Sequence, residues 1–189
     1  MNPEKNRIIE VVDYDKNWKT SYSSEAQFLK KIFHSILVSI HHIGSTSIPG
    51  MAAKPTIDIL ISVYQIEKVD YLNGKMKEYG YQAEGEFGIR GRRYFWKYPG
   101  KHKFHIHVFE RSDKNIVRHL AFKAYLIHNR KVANIYSQLK KSLAVQYPNS
   151  IQKYMKGKSD LIKEIEREAL LWYIKKRRKI ILRIKNENN

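Results

Sequence analysis

The sequence predicts an α+β fold on three observations. Short β-branched and aromatic runs dominate residues 1–112, helical periodicity takes over from Asp113, and no repeat or low-complexity linker interrupts the chain. The 189 residues are 42% hydrophobic and 12% aromatic, enough for a sizeable core and too apolar for wholesale disorder. The expected division is an α+β domain with a mixed β-sheet over 1–112 and a helical part over 113–189, its basic tail packed on it.

Arg7 to Val12 is a β-branched run and reads as an opening strand, with Asp13 or Asp15 capping the helix that follows. Trp18, Tyr22, Leu29, Phe33 and Ile36 fall at spacings of 4, 7, 4 and 3, one helical face. Leu37 to Ile43 has strand character and stops at Gly44. Gly44 to Gly50 is a dense turn segment. Pro55 to Val63 reads as a buried strand carrying a single carboxylate, Asp58. Gln65 to Tyr79 is a predicted helix stopped by Gly80. Arg92 to Tyr98 and Lys103 to Phe109 are strands joined by a Pro99-Gly100 turn. One later helix is marked by Val132, Ile135, Tyr136, Leu139 and Leu143 and ends at Pro148-Asn149. Another begins near Ser150 or Ser159 and carries Ile162, Ile165, Ala169 and Trp172.

Lys and Arg number 36 against 18 Asp and Glu, a formal charge of +18. Such a surplus favours a polyanionic partner, nucleic acid among them, or an acidic substrate, although surface lysine also serves as solubilising filler. The segment Lys175-Lys176-Arg177-Arg178-Lys179 sharpens the same choice, between an anionic surface and a helix whose Ile180, Ile181, Leu182 and Ile184 pack while its lysines stay in water. Cysteine is absent, which excludes a disulfide framework, a thiol nucleophile and cysteine-ligated zinc or iron–sulfur centres. No secretory leader and no membrane span are read, so a cytoplasmic location is expected.

Chemistry concentrates where a strand ends at Gly44-Ser45 and a second strand presents Asp58, twelve residues lying between Ser45 and Asp58. Glycine lets backbone N–H groups approach an anion, the serine hydroxyl adds a donor, and a short helix starting there would aim its positive end at phosphate. Asp58 would then stand near that phosphate, placed to hold a divalent cation through oxygen. An unpaired acid inside Ile57-Asp58-Ile59-Leu60-Ile61 is costly to bury, which argues for a site role over a turn cap.

This arrangement resembles the signature of the nucleotidyltransferase fold, the polymerase β-like superfamily. The wider string His42-Ile43-Gly44-Ser45-Thr46-Ser47-Ile48-Pro49-Gly50-Met51-Ala52-Ala53-Lys54-Pro55-Thr56-Ile57-Asp58-Ile59 resembles the hallmark of the GrpB family. Val12 to Trp18, Gly80-Tyr81, Gly91 to Phe95, Phe104 to Val108 and Tyr154 to Lys158 agree in order, so the resemblance covers about residues 8 to 168. It implies a nucleotidyltransferase-like mixed sheet followed by helices, and a nucleotide-type ligand.

The chain departs from a full nucleotidyltransferase at Leu60, where a second acid would share the strand face of Asp58. His105 and His107 fall where a third acid is expected, together on one strand face. Two-metal catalysis is therefore not expected. Asp58 with His105 and His107 could hold one ion such as Zn, Mn, Ni or Fe. Alternatively, a histidine, His107 foremost, acts as general base, or the pair stacks in a polar rim without a ligand.

The resulting expectation is a cleft that binds a phosphate-bearing small molecule, a nucleotide as substrate, with a divalent ion. Gly44, Ser45 and Ser47 would take the phosphates, and Lys54 and Arg93 would add positive charge. Asp58 and His107 would serve in any nucleotidyl or phosphoryl transfer. The other reading is a non-catalytic nucleotide- or nucleic-acid-binding module. His42, Arg92, Tyr154 and Lys158 stand open between the cleft and ordinary packing or solvent.

Overall fold

The computed structural model describes residues 8–98 and 103–187, with side chains through residue 179. Helix α1 (Asn17–Phe33) leads into β1 (Leu37–Ile43), a single 3-10 turn at Ser45–Ser47 and β2 (Thr56–Val63). A 3-10 segment (Glu67–Leu72) and α2 (Asn73–Glu78) follow, then β3 (Gln82–Ala83), β4 (Arg93–Lys97) and β5 (Lys103–Glu110). Helices α3 (Lys114–His128), α4 (Arg130–Gln146) and α5 (Ile151–Glu187) complete the chain.

The sheet order is β1-β2-β5-β4-β3, with β2 and β5 parallel and the other pairs antiparallel. Its centre is β2 beside β5: β2 is a nearly continuous apolar run broken by Asp58, whereas β5 alternates, with Phe104, Ile106 and Val108 on one face and His105 and His107 on the other. On one face Ile57, Ile59, Ile61, Phe104, Ile106 and Val108 meet Trp18, Leu29 and Phe33 of α1 in the main core. Truncating Phe33 there to alanine would cost about 3–5 kcal/mol. The other face carries Asp58, Leu60, His105, His107 and Phe109. Leu60 and Phe109 are sealed with Ile43 beneath Ile116 and Leu120 of α3.

The helical part grips the turn after β1. Ile48 and Met51 are buried among Leu126, Tyr136 and Ile165, while Ile9 packs with Leu143 and Tyr154. Sheet and helices thus share cores. Among the described residues no helix is long and apolar enough to cross a membrane.

Three local expectations change, and one alternative resolves. The described part of the opening segment, residues 8–12, is not a strand: among these residues only Val12 bridges to Ala53, while Ile9 donates its N–H to Pro148 O and is drawn onto the helices. Asp15 does cap α1, its Oδ1 accepting from Asn17 N–H at 2.8 Å, whereas Asp13 pairs with Lys141. The helix expected over Gln65 to Tyr79 divides into the 3-10 segment and α2, and the division falls at Asn73-Gly74, weak helix formers both. The short helix after Gly44 is one 3-10 turn. The Pro99-Gly100 turn, the first seven residues and the packing of Ile180, Ile181, Leu182 and Ile184 lie outside the described residues and side chains.

Candidate functional site

Gly44 sits at φ 68° and ψ −177°, backbone that only glycine adopts readily. The reason is its neighbour: a Cβ there would collide with the carboxylate of Asp58, directly across the β1–β2 pair from Ile43. The chain therefore turns against the acid. Ser47 Oγ donates to Gly44 O at 2.7 Å, which ties its proton into the turn rather than offering it to a ligand. Thr46 Oγ1 donates to Thr56 O at 3.0 Å, so His42 Nε2, 3.1 Å from that oxygen, is the donor to it. His42 lies stacked on Tyr22 at 4.7 Å, and burial with nearby Lys123 lowers its pKa to about 4. It is a neutral strut, not a ligand contact.

Parallel pairing of β2 with β5 sets Asp58 opposite His105, with His107 two residues along the same face. His105 Nδ1 lies 3.4 Å and His107 Nε2 3.5 Å from Asp58 Oδ1, and one ligand atom from each residue lies within 4.8 Å of the others. Burial pushes the Asp58 carboxyl upward, but its hydrogen bonds with both imidazoles outweigh this and hold it well below the ordinary carboxylate range. The acid is ionised. Burial likewise lowers His105, against the pull of Asp58.

Arg92 assigns the proton of His107. Its Nη1 lies 3.3 Å from His107 Nδ1, and a guanidinium only donates, so Nδ1 accepts and Nε2–H faces Asp58. His105 Nε2 is buried without a hydrogen-bond partner among the described residues. A metal-bound histidine ordinarily donates its outer N–H to an acceptor. Among the described residues neither imidazole has one. Asp58 fits a divalent ion as it stands; the imidazoles now donate to it and would join the coordination only after their protons relocate.

Across the cleft stand lysines. Lys140 of α4 is buried, and its Nζ donates to Ser45 Oγ at 2.8 Å and to Ala52 O at 2.5 Å. Burial, reinforced by Lys158, lowers its pKa to about 7, while Asp58 pulls the other way. Lys158 of α5 is lowered to about 8 by burial and by Lys54. Lys54 and Lys158 flank the ring of Tyr154, at 5.7 and 4.8 Å from its centroid. All three lysines, Ser45, Asp58 and His105 line one cleft of about 300 Å³.

The structure thus brings Ser45, Lys54, Asp58, His105, Tyr154 and Lys158 to the cleft, with Gly44 behind and His107 beside Asp58. Arg93 is a correction. Strand alternation sends it, with Val108, to the opposite face, where it forms a bidentate pair with Asp70 at 2.6 and 2.8 Å. The site-facing arginine is Arg92.

Lys140 was not singled out by sequence, though it carries a signal. It stands among Ala133, Tyr136, Ser137, Leu143 and Ala144 on the buried stripe of α4, where lysine is out of place without a partner. Phe87, which lines the cleft beside Tyr94, had no comparable signal because the loop that presents it has no periodicity.

These residues fall inside a segment that known proteins share. The family described as GrpB protein matches residues 8–168. UPF0157 protein YqkA of Bacillus subtilis is 45% identical over 166 residues, covering 88% of this chain and 48% of that protein. The chain therefore spans about half the length of that relative. Glutamate-rich protein GrpB of Alkalihalophilus pseudofirmus is 35% identical, covering 84% of this chain and 94% of that one. The crystal structure of conserved protein GrpB from Enterococcus faecalis aligns with a TM-score of 0.84 at 46% identity, over 87% of this chain and 99% of that one. A structure of Cid1 in complex with its short product ApU aligns with a TM-score of 0.49 at 11% identity, over 69% of this chain and 42% of that one. With the Gly-Ser turn, the strand aspartate and the paired histidines all inside the matched span, the chain belongs to the GrpB family.

Proposed function

We propose that the cleft binds a phosphate-bearing small molecule of the nucleotide class together with one divalent ion, in an arrangement suited to nucleotidyl or phosphoryl transfer. The observation that carries this reading is Lys140 seated on Ser45, with Lys54 and Lys158 beside it and the ionised Asp58 on the floor. Three ammonium groups drawn into one partly buried cleft repel one another and are desolvated. An anion of several charges relieves both costs. Asp58 would hold the ion while His105 and His107 stay hydrogen-bonded to its carboxylate, and phosphate oxygens would fill other positions, as magnesium-type ions prefer. When bound, the ion would neutralise charge on the phosphates.

The test is calorimetric titration of inorganic tripolyphosphate and ATP, with and without Mg²⁺, Mn²⁺ or Zn²⁺. Binding strengthened by a metal, with that metal dependence abolished in Asp58→Ala and affinity lowered in Lys140→Met, supports the reading. Absence of phosphate binding under every metal overturns it. So would salt-steep binding of random oligonucleotides that survives Asp58→Ala while neither small probe binds, the behaviour of a basic nucleic-acid-binding surface.

A further inference from the structure

A second feature of the cleft has no part in anion or ion binding. Phe87 is half exposed, at 56%, yet it is held in place with care. Its φ is 42°, the left-handed region, and it alone of the described non-glycine residues lies there. A bulky side chain in that region is strained, and such strain persists only where surrounding contacts enforce it. Here they do. Arg92, itself buried, donates from Nη2 to Phe87 O at 2.6 Å and from Nε to Glu86 O at 3.2 Å. Glu86 Oε1 accepts from Gly91 N–H at 2.7 Å, and Tyr94 N–H donates to Gly85 O at 2.8 Å. Gly85, Gly88 and Gly91 supply the remaining positive-φ positions of the loop.

The product of this arrangement is a flat aromatic wall. The Phe87 ring lies parallel to that of Tyr94, centroids 4.9 Å apart and planes 8° apart, and both line the cleft. Tyr94 in turn meets His105 and His107 edge-on or tilted, at 5.5 and 5.3 Å. Placement matters as much as flatness. The Gly-Ser turn lies at the β1–β2 end of the site, Asp58 on β2, His105 on β5 and Tyr94 on β4. Two strand spacings, about 10 Å, therefore separate the Asp58 strand from the aromatic wall. That is the reach of a base–sugar–phosphate chain laid across the sheet.

We propose that Phe87 is the stacking platform for a planar heteroaromatic ring, so that the ligand is a nucleoside polyphosphate recognised at both ends. The proposal rests on the phosphate reading above and narrows it. A ring stacked on Phe87 would leave its phosphates over Asp58 and the lysines. The guanidinium of Arg92, 4.8 Å from the Tyr94 centroid and 5.9 Å from that of Phe87, makes the wall electron-poor and suited to an electron-rich base.

The experiment compares ATP, UTP and inorganic tripolyphosphate on wild type, Phe87→Ala, Phe87→Leu and Phe87→Trp at fixed Mn²⁺, with thermal melts to confirm folding. Wild type should bind the nucleotides at least about tenfold more tightly than tripolyphosphate, since a stacked base contributes roughly 5- to 150-fold. Phe87→Ala and Phe87→Leu should lose that preference while tripolyphosphate affinity is unchanged. Leucine is the informative variant, because it still covers Tyr94 but has no π face. Phe87→Trp should retain the preference and show fluorescence quenching by nucleotides and not by tripolyphosphate. Equal wild-type affinity for all three probes overturns the platform while leaving the phosphate site standing, as does equal loss of nucleotide and tripolyphosphate in Phe87→Leu. If no probe binds wild type, the phosphate reading falls and this one with it.

Discussion

Lys140 Nζ lies 2.8 Å from Ser45 Oγ, a bond between residues 95 positions apart that joins the helical part to the Gly-Ser turn. It makes the turn a composite: backbone from the sheet side, charge from the helices. The ammonium is poised to titrate because burial has brought it to about 7.

Two pH effects of opposite sign follow for Lys140. Anion affinity should fall as pH rises from 6 to 9, through the deprotonation of Lys140 near 7 and Lys158 near 8. Stability of the free protein should move the other way. A lysine lowered on folding destabilises fully below its folded pKa, and the penalty is relieved as pH rises from about 7 toward the unfolded value of roughly 10.5. Lys140→Met should weaken tripolyphosphate binding at pH 6.5 by about 10- to 150-fold, the worth of a charged hydrogen bond, and flatten this rise in melting temperature. Unchanged affinity in that variant would remove Lys140 from the site.

Gly44→Ala should cost at least about 1–3 kcal/mol from backbone strain alone, because its Cβ also meets the Asp58 carboxylate. Chemical denaturation would measure the loss. Metal-dependent ligand binding should be lost with it. A fully stable variant would mean that Asp58 moves aside freely.

Adjacent arginines should behave unlike each other. Arg93→Ala breaks a pair whose aspartate is nearly half exposed and should change stability by less than about 1 kcal/mol, with ligand binding intact. Arg92→Lys keeps the charge but loses the fork that clasps Glu86, Phe87 and His107. Amide hydrogen exchange across residues 84–92 should accelerate in Arg92→Lys and stay at wild-type rates in Arg93→Ala.

Gly157 lets α5 approach α4 at Leu143, where an added Cβ would strike that side chain. Gly157→Leu should overpack this seam by about 1–3 kcal/mol and lower the melting temperature by several degrees. Since the neighbouring residue is Lys158, tripolyphosphate affinity should drop as well. A variant with wild-type melting and affinity would show that the seam does not position the lysine.

Much of this was legible in the sequence, for reasons that differ residue by residue. Period-2 alternation put His105 and His107 on one face and Phe104, Ile106 and Val108 on the other, and the sheet keeps that division. The same alternation separates Arg92 from Arg93, but choosing between them needs the register of β4 against β5, which pairing decides and local pattern does not. The opening run over Arg7 to Val12 has strand composition, yet Ile9 packs on Leu143 and Tyr154, a tertiary contact stronger than propensity. Tyr154 and Lys158 reach the cleft only because α5 packs beside the turn, which no local pattern announces.

Leu60 gives the absent second acid a structural meaning. Wedged between Ile43 and Phe109 under Ile116 and Leu120, it seats α3 on the sheet, and α3 packs against α5, which carries Lys158. An aspartate at position 60 would bury a charge in a fully enclosed apolar cluster and loosen that seat. Where the sequence departs from the two-acid pattern, the side chain is a rivet of the scaffold. An acid there would therefore be felt first in the anchoring of α3, as a loss of stability.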